Sequence, residues 1–432
     1  MQTISNDPSA LRARLFECAS GPLVGAIHRL EEAATADLWL AGGAVRDLLL
    51  GRPVLDLDLV AEEDAIGLAR RAMPEAVLAA HERFRTATVA VGERRVDVAT
   101  ARTETYAAPG ALPEVRTPAT VEEDLRRRDF TMNALALRLT GEPALRGAPS
   151  TEAALADVAA GVVRVLHDAS FRDDPTRIFR AFRYAVRLGF VVEPRTRALL
   201  DDGVRYIEAL SGERVRHELA LLFDEATGGA ALDLAQEAGA LRAVHPALAW
   251  DARRSGAFGW AEELGLARTT LGFALLAAGA SAADAEAIVE RLRLTREEAA
   301  AVRDVAALRA HAATLRRPDA KPSGVVVLLE RYAPAAVAAF AATADDAIAA
   351  ALARRYLGEW RHVRPTMRGD ELVAMGVPEG PQVSRGLQLV RAARLDGWAR
   401  DAGDERALVA RFAKSIRDSA AMTAPIEMSD DD

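Results

Sequence analysis

The sequence predicts an α+β protein in which a small mixed sheet is confined to the N-terminal third and everything beyond it is helical. Three observations carry this. Between Asp37 and about Leu139, short apolar runs of strand character mix with short helical ones: DLWLAGGAV, VLDLDLV and FRTATVAVGERRVDVAT. After Glu152, apolar residues recur at helical spacing almost to the end. In that second part the strong helix formers Ala, Leu, Glu and Arg dominate. A chain of 432 residues, half of them hydrophobic, can bury several cores, so two to four domains are expected.

The elements follow in order. Residues 1 to about 10 and the acidic end Asp430 to Asp432 are expected to be disordered, within an N-terminal extension over 1–22 and at the C-terminus. In the sheet region, 23–145, FRTATVAVG and RRVDVAT are joined by a Gly-Glu turn and read as a hairpin. Residues 122–139, EEDLRRRDFTMNALALRL, read as a helix with an acidic start and an apolar face of Leu125, Met132, Leu135 and Ala136. In FRDDPTRIFRAFRYAVRLGF, residues 171–190, Pro175 marks a helix start with Asp173 and Asp174 just before it. Gly- and Pro-rich breaks at Gly147 to Ser150, Gly228 and Gly229, Arg317 to Ser323 and Met375 to Gln382 divide the helical part. They suggest segments 146–227, 228–325 and 326–432.

Composition excludes several classes of function. The single cysteine, Cys18, rules out an intramolecular disulfide framework and any zinc site built from cysteines. The longest apolar tract, Ala335 to Ala344, is too short to span a bilayer, so a soluble cytoplasmic protein without a membrane partner is expected. The net charge of −8 argues against coating nucleic acid by bulk electrostatics, so any nucleic-acid contact must be carried by local patches. Lys321 and Lys414 are the only lysines. Codon bias explains that, but it also leaves positive charge to arginine, whose planar fork suits phosphates and base edges.

The strongest chemical signal is LAGGAVRDLLLGRPVLDLDLV, residues 40–60. In a strand Asp56 and Asp58 share one face, Leu55, Leu57 and Leu59 the other, so two carboxylates converge. Such a pair binds hard divalent cations that polarise a triphosphate, and needs the cation to offset its own repulsion. An exposed strand edge gives the same spacing; context decides. Gly42 and Gly43 follow an apolar strand and precede Val45-Arg46-Asp47, a candidate phosphate cradle of backbone N–H groups with an arginine beside them. Asp97 on VDVAT could add a third carboxylate, as base or metal ligand, or simply face solvent.

Two arginine-rich stretches extend the pattern. Arg126, Arg127 and Arg128 cannot all face one way, so some meet solvent while others, with Asp129 and Asn133, could reach a triphosphate or ribose. Asp174 and Arg177, three apart, could form one hydrogen-bonding unit that accepts and donates to the edge of a base, or could be a cap with an ordinary ion pair.

Three ordered motifs, GGAVRD with DLD, RRDFTMNALAL and DDPTRIFRAFRYAVRLGF, together resemble those of class II tRNA nucleotidyltransferases and bacterial poly(A) polymerases of the polymerase β superfamily. The resemblance is close over residues 37–225, including SGERVRHEL at Ser211 to Leu219, and general beyond. It implies a polymerase β-like catalytic head at 23–145, a nucleobase-recognising neck at 146–227, a body at 228–325 and a tRNA-binding tail at 326–432. Gly42, Gly43, Arg46 and Asp47 would hold the nucleotide, Asp56 and Asp58 two magnesium ions. Arg128, Asp129 and Asn133 would sit by ribose and triphosphate. Asp174 and Arg177, with Arg180 nearby, would act as a protein template selecting C or A. The family usually shows Glu-Asp where this chain has Asp173-Asp174, which leaves the template acid in place. Residues 101–125 resemble the family's flexible loop for adding the last A.

The implied activity is template-independent addition of all or part of the 3′-terminal CCA of tRNA from CTP or ATP, with release of pyrophosphate. The expected partners are the acceptor stem and elbow of tRNA. Poly(A) polymerase is the nearest alternative, disfavoured by the acidic C-terminal end, and a catalytically inactive RNA-binding module is the alternative of another class.

Overall fold

The structure, a computed structural model, describes residues 5–54, 57–92, 94–315 and 321–423. The chain divides into two compact units, Met1–Pro246 and Ala247–Asp432.

The first unit opens with two helices. In α1 (Pro8–Cys18) the carboxylate of Asp7 accepts from the Ala10 N–H at 2.8 Å, and Leu11 and Leu15 are buried. The expected disorder of residues 1–10 is therefore wrong from Asp7 onward: a cap, a proline in the first turn and two core leucines suffice to order the segment. Helix α2 (Gly21–Ala33) buries Leu23, Ile27 and Leu30.

The sheet follows as β1 (Leu38–Ala41), α3 (Gly43–Leu49), β2 (Leu57–Ala61), α4 (Ala65–Ala72), β3 (Val77–His81), β4 (Thr86–Val91) and β5 (Arg94–Thr100). Next come a small separate hairpin, β6 (Thr103–Thr105) with β7 (Glu114–Arg116), then α5 (Val121–Arg126), β8 (Leu135–Arg138) and β9 (Leu145–Gly147). Strand order in the seven-stranded sheet is β3-β4-β5-β2-β1-β8-β9. Only β2 and β5 run parallel; the other neighbours are antiparallel. The expected hairpin is β4–β5, in which alternate residues Ala87, Val89 and Val91 are buried.

The helix expected over 122–139 is broken into three pieces. Thr120 and Glu123 form a reciprocal cap on α5, which ends at Arg126. A short turn at Thr131–Asn133 follows, and Leu135–Arg138 then enters the sheet between β1 and β9. Leu135, Ala136 and Leu137 are all buried. A central strand covered on both faces loses the two-residue alternation that distinguishes it from a helix.

The rest of the first unit is helical: α6 (Thr151–Ala160), α7 (Ser170–Asp173), α8 (Thr176–Leu188), α9 (Pro194–Gly203) and α10 (Gly212–Asp224) lead this part. The exception to the all-helical expectation is a two-residue parallel ladder of Val162–Val163 with Val191–Val192. Helix α8 starts after Pro175 and ends at Gly189 in a left-handed cap, φ 71°. It buries Ile178, Phe179, Phe182, Ala185 and Leu188 and packs on α10, which buries Val215, Leu219, Leu222 and Phe223.

The second unit is helical in all its described elements, from Ala257–Leu264 to Ala402–Thr423. One of its cores gathers Met367, Leu372, Val377, Val390, Val409 and Ala413. Beside it the buried Glu405 carboxylate accepts from Thr366, Met367 and Arg394. Among the described residues no single helix is long and apolar enough to cross a membrane.

Candidate active site

Strand β2 presents Asp58 to solvent while burying Leu57 and Leu59, as the alternation requires. Asp97 on β5 is its register partner in the parallel pair, so the two Cα atoms stand about 4.8 Å apart. The Thr88 hydroxyl donates to Asp97 Oδ1 at 2.6 Å and holds that carboxylate upright. Both acids line one cleft of about 580 Å³. Asp97 thus joins Asp58 rather than a remote surface. Asp56 lies outside the described residues.

The cleft is also lined by Gly42, Gly43, Arg128, Asp129, Asn133, Asp174, Arg177 and Arg180. Arg46 and Asp47 are not among its lining residues. Gly42 has φ 77°, and a Cβ there would lie 2.7 Å from Arg128 Nη1, so only glycine fits the turn. Its N–H is committed to Leu135 O at 2.9 Å. Arg46 packs beneath Gly43, 1% exposed, and gives Nη1 to Asn133 Oδ1 and Nε and Nη2 to Asp47 Oδ1. The structure therefore corrects the expected surface cradle: Arg46 supports the turn from below, and Arg128 is the arginine that meets it from the cleft.

Asn133 passes the connection on. Its Nδ2 donates to Asp129 Oδ1 at 3.0 Å, while Arg180 donates to Asp129 Oδ2 through Nε at 2.8 Å and Nη2 at 2.6 Å. A continuous hydrogen-bonded chain, Asp47–Arg46–Asn133–Asp129–Arg180, thus ties α3 to α8. Burial pushes the Asp129 carboxyl up, but the Arg180 charge and the bonds from Asn133 and Arg180 outweigh it and hold the group at about 2. The same pair raises Arg180 above the ordinary arginine range. Arg127 and Arg128 are fixed from behind by Asp124, fully buried on α5, at 2.7 Å and 3.1 Å.

Asp174 ends α7 in extended conformation, and Arg177 lies in the first turn of α8. The two do not pair with each other as one flat unit. Arg177 donates Nη1 to Ser170 Oγ at 2.7 Å and Nη2 to Arg127 O at 2.8 Å. Asp174 Oδ1 accepts from Thr176 N–H, Thr176 Oγ1 and Arg214 Nη2. All these bonds converge on one oxygen, and among the described residues Oδ2 is left to the cleft. Of the five N–H donors of a guanidinium, two of Arg177's are spent, leaving three.

Several lining residues escaped the sequence reading. Glu104 on β6 and Arg102 and Tyr106 at its two ends line the cleft at every second position, a periodicity visible in ARTETY. Burial, and then the Glu104 carboxylate that accepts its hydroxyl proton at 3.0 Å, push the Tyr106 phenol above the ordinary range. Arg214, from the SGERVRHEL element, donates to Asp174 Oδ1 at 2.7 Å and to Gly110 O at 2.8 Å, so it fastens the tip of the β6–β7 hairpin to α10. Tyr184 on α8 also lines the cleft.

Comparison with known proteins gives a consistent picture. Residues 38–165 match the poly A polymerase head domain, and residues 189–251 match the probable RNA and SrmB-binding site of polymerase A. An A-adding tRNA nucleotidyltransferase of Geobacter sulfurreducens is 31% identical over 88% of this chain, which spans 45% of that protein. The chain likewise spans about half or less of two other A-adding relatives. A CC-adding tRNA nucleotidyltransferase of Deinococcus radiodurans is 33% identical over 86% of this chain and 88% of its own length. The Thermotoga maritima CCA-adding enzyme complexed with tRNA superposes with a TM-score of 0.75, 25% identity and coverage of 96% of this chain and all of the other.

Proposed function

The chain belongs to the tRNA nucleotidyltransferase family, and we propose that it transfers AMP, CMP or both from the triphosphate to the 3′ end of tRNA, completing all or part of the CCA without a nucleic-acid template. The observation that carries this reading is the cleft itself. Asp58 and Asp97 stand in register on one wall, and an acceptor and a donor, Asp174 Oδ2 and the outer N–H groups of Arg177, stand on the helical side.

The donor set fits magnesium: carboxylate oxygens side by side at a solvent-reached strand face are hard ligands with room for water. Asp58, with Asp56 two residues before it, would hold two ions, which supply charge neutralisation of the triphosphate and activation of the 3′-hydroxyl. Arg128 at the Gly42–Gly43 turn steadies the phosphates, backed by Asp124. Asp97, fixed by Thr88, is placed either to complete the ion site or to take the hydroxyl proton. Asp174 and Arg177 together accept and donate, the pattern that the Watson–Crick edges of C and A each satisfy and that U and G reverse.

The ordered β6–β7 hairpin, which places Tyr106 in the cleft and rests on Arg214, favours addition of the terminal A. The CC-adding relative that matches along most of its length supports the other partial activity. On this reading the head spans 23–145, the neck 146–227 and the body 228–325, and the tail at 326–432 grips the tRNA elbow; the compartment is the cytoplasm. The test is to incubate the protein with tRNAs lacking CCA, lacking only the final A, or complete, with CTP or ATP singly. Extension of the second by ATP alone identifies A addition, and extension of the first by CTP identifies CC addition. Long adenylate tails on any RNA would favour poly(A) polymerase, and no extension would overturn the reading.

A further inference from the structure

Helix α8 is chemically lopsided. In a chain of net charge −8, its thirteen residues carry Arg177, Arg180, Arg183 and Arg187 and no acid. Two of these are consumed by the site: Arg177 by Ser170 and Arg127, Arg180 by Asp129. The acid beside Arg187 among the described residues is Glu225, at a long 3.5 Å, and the Arg187 side chain is 38% exposed. Arg183 is in surplus. Its Nε is buried without a hydrogen-bond partner among the described residues. The acid that acts on it from α10, Glu218, has its carboxyl raised by burial, and its Oε2 is buried without a hydrogen-bond partner among the described residues.

Tyr184 organises the group. The guanidinium carbons of Arg46, Arg180, Arg183 and Arg187 lie 5.5, 5.6, 5.4 and 5.5 Å from its ring centroid. A ring face attracts cations but does not neutralise them. Of the four guanidiniums around this ring, Arg46 is paired with Asp47 and Arg180 with Asp129, and Arg187 has the long contact with Glu225, so the charge left uncompensated along α8 is that of Arg183 with part of Arg187's. Successive turns of a helix are about 5.4 Å apart, so Arg180, Arg183 or Tyr184, and Arg187 form a ladder from the nucleotide site toward solvent.

We propose that Arg183 and Arg187, steadied by the Tyr184 ring, seat the phosphodiester groups of the RNA strand just upstream of its reacting 3′-hydroxyl. This rests on the nucleotidyl-transfer reading above. A run of cations beside an aromatic ring is the arrangement by which proteins track a single strand without reading its sequence. The triphosphate of the incoming nucleotide belongs instead to the Asp58 and Arg128 end of the cleft.

The experiment compares the full chain with Arg183→Gln, Arg187→Gln and Arg183→Lys on a tRNA transcript lacking its final A, with ATP and with CTP, over a series of salt concentrations. Each Gln variant should raise the KM for tRNA roughly five- to tenfold and flatten the slope of log affinity against log salt by about 0.7 to 1. The KM for nucleotide and kcat at saturating tRNA should stay within about twofold, and Lys should restore most of the slope. An unchanged tRNA KM and slope, an equal rise in nucleotide KM, or a Lys variant as impaired as Gln would each overturn the proposal. If the unaltered chain transferred neither nucleotide, the underlying reading would fail instead.

Discussion

The buried Asp129–Arg180 pair offers a quantitative check on how the site is held. Asp129 is 7% exposed and titrates at about 2, against about 3.9 for an aspartate in an unfolded chain. Because the folded value is depressed, the ionised carboxylate contributes about 2 to 3 kcal/mol of stability above pH 4, lost as pH falls toward 2. Roughly half of it is gone by pH 3. Asp129→Asn removes the titration while keeping the shape and one acceptor oxygen. The stability gap between parent and variant should therefore be about 1.3 kcal/mol larger at pH 6 than at pH 3. The assay is hydrogen exchange of the α8 amides across a urea series at the two pH values, so that the N-terminal unit is followed by itself. A gap that is the same at both pH values, or larger at pH 3, would refute the assignment of Arg180 as a charge partner and leave it a packing contact.

Other substitutions probe separate parts of the cleft. Asp58→Ala should lower transfer by about a hundredfold or more without loss of fold, because this residue is exposed and carries charge rather than packing; rates above that level, measured at saturating magnesium and nucleotide, would count against ion binding at β2. Gly42→Ala forces a side chain into a left-handed backbone and against Arg128, which should cost about 1 to 2 kcal/mol and raise the nucleotide KM; thermal melts with nucleotide titrations read both. Arg177→Ala should relax selection against UTP and GTP more than it weakens nucleotide binding, since a mismatched polar edge costs about 1 to 3 kcal/mol; unchanged selectivity on a fixed tRNA end would reduce Arg177 to a strut between Ser170 and Arg127. Arg46→Ala should instead destabilise the whole floor, because it leaves Asn133 and Asp47 without their donor, and its effect should appear in melting before it appears in nucleotide choice.

What could be read from the sequence follows from which signals are local. Strand alternation placed Asp58 on an exposed face, and a proline followed by a long amphipathic run placed α8. Both are set by neighbours a few residues away. The strand at Leu135–Arg138 reads as helix in the sequence because a doubly covered strand is apolar at successive positions, and only its partners β1 and β9 reveal it. Arg46 illustrates the opposite limit. Its charge reads as a ligand for phosphate, yet Asn133, 87 residues away, claims Nη1 and buries it. Arg102, Glu104 and Tyr106 do not stand out in the sequence because β6, with three residues, is too short a run for period-2 alternation to be told from a loop.

The cleft floor and the proposed base-reading side are not separate parts. Arg177 holds the backbone carbonyl of Arg127, Arg127 shares Asp124 with Arg128, and Arg128 rests against Gly42. By a second route, Arg180 three residues along the same helix holds Asp129, which reaches Arg46 beneath Gly43 through Asn133. Helix α8 therefore fixes both Arg177 and the Gly42–Gly43 turn, which on the proposed function are the donor for a base and the seat of the phosphates. Asp174 differs: it lies outside the helix and is held by Arg214, which also holds the Gly110 carbonyl of the hairpin. Its Oδ1 also accepts from the N–H and hydroxyl of Thr176 at the start of α8, so the acceptor is tied to both the helix and the hairpin. On the proposed function the hairpin therefore reaches both halves of the base-reading pair: Asp174 through Arg214, and Arg177 through Arg127, which the Glu104 carboxylate of β6 also holds.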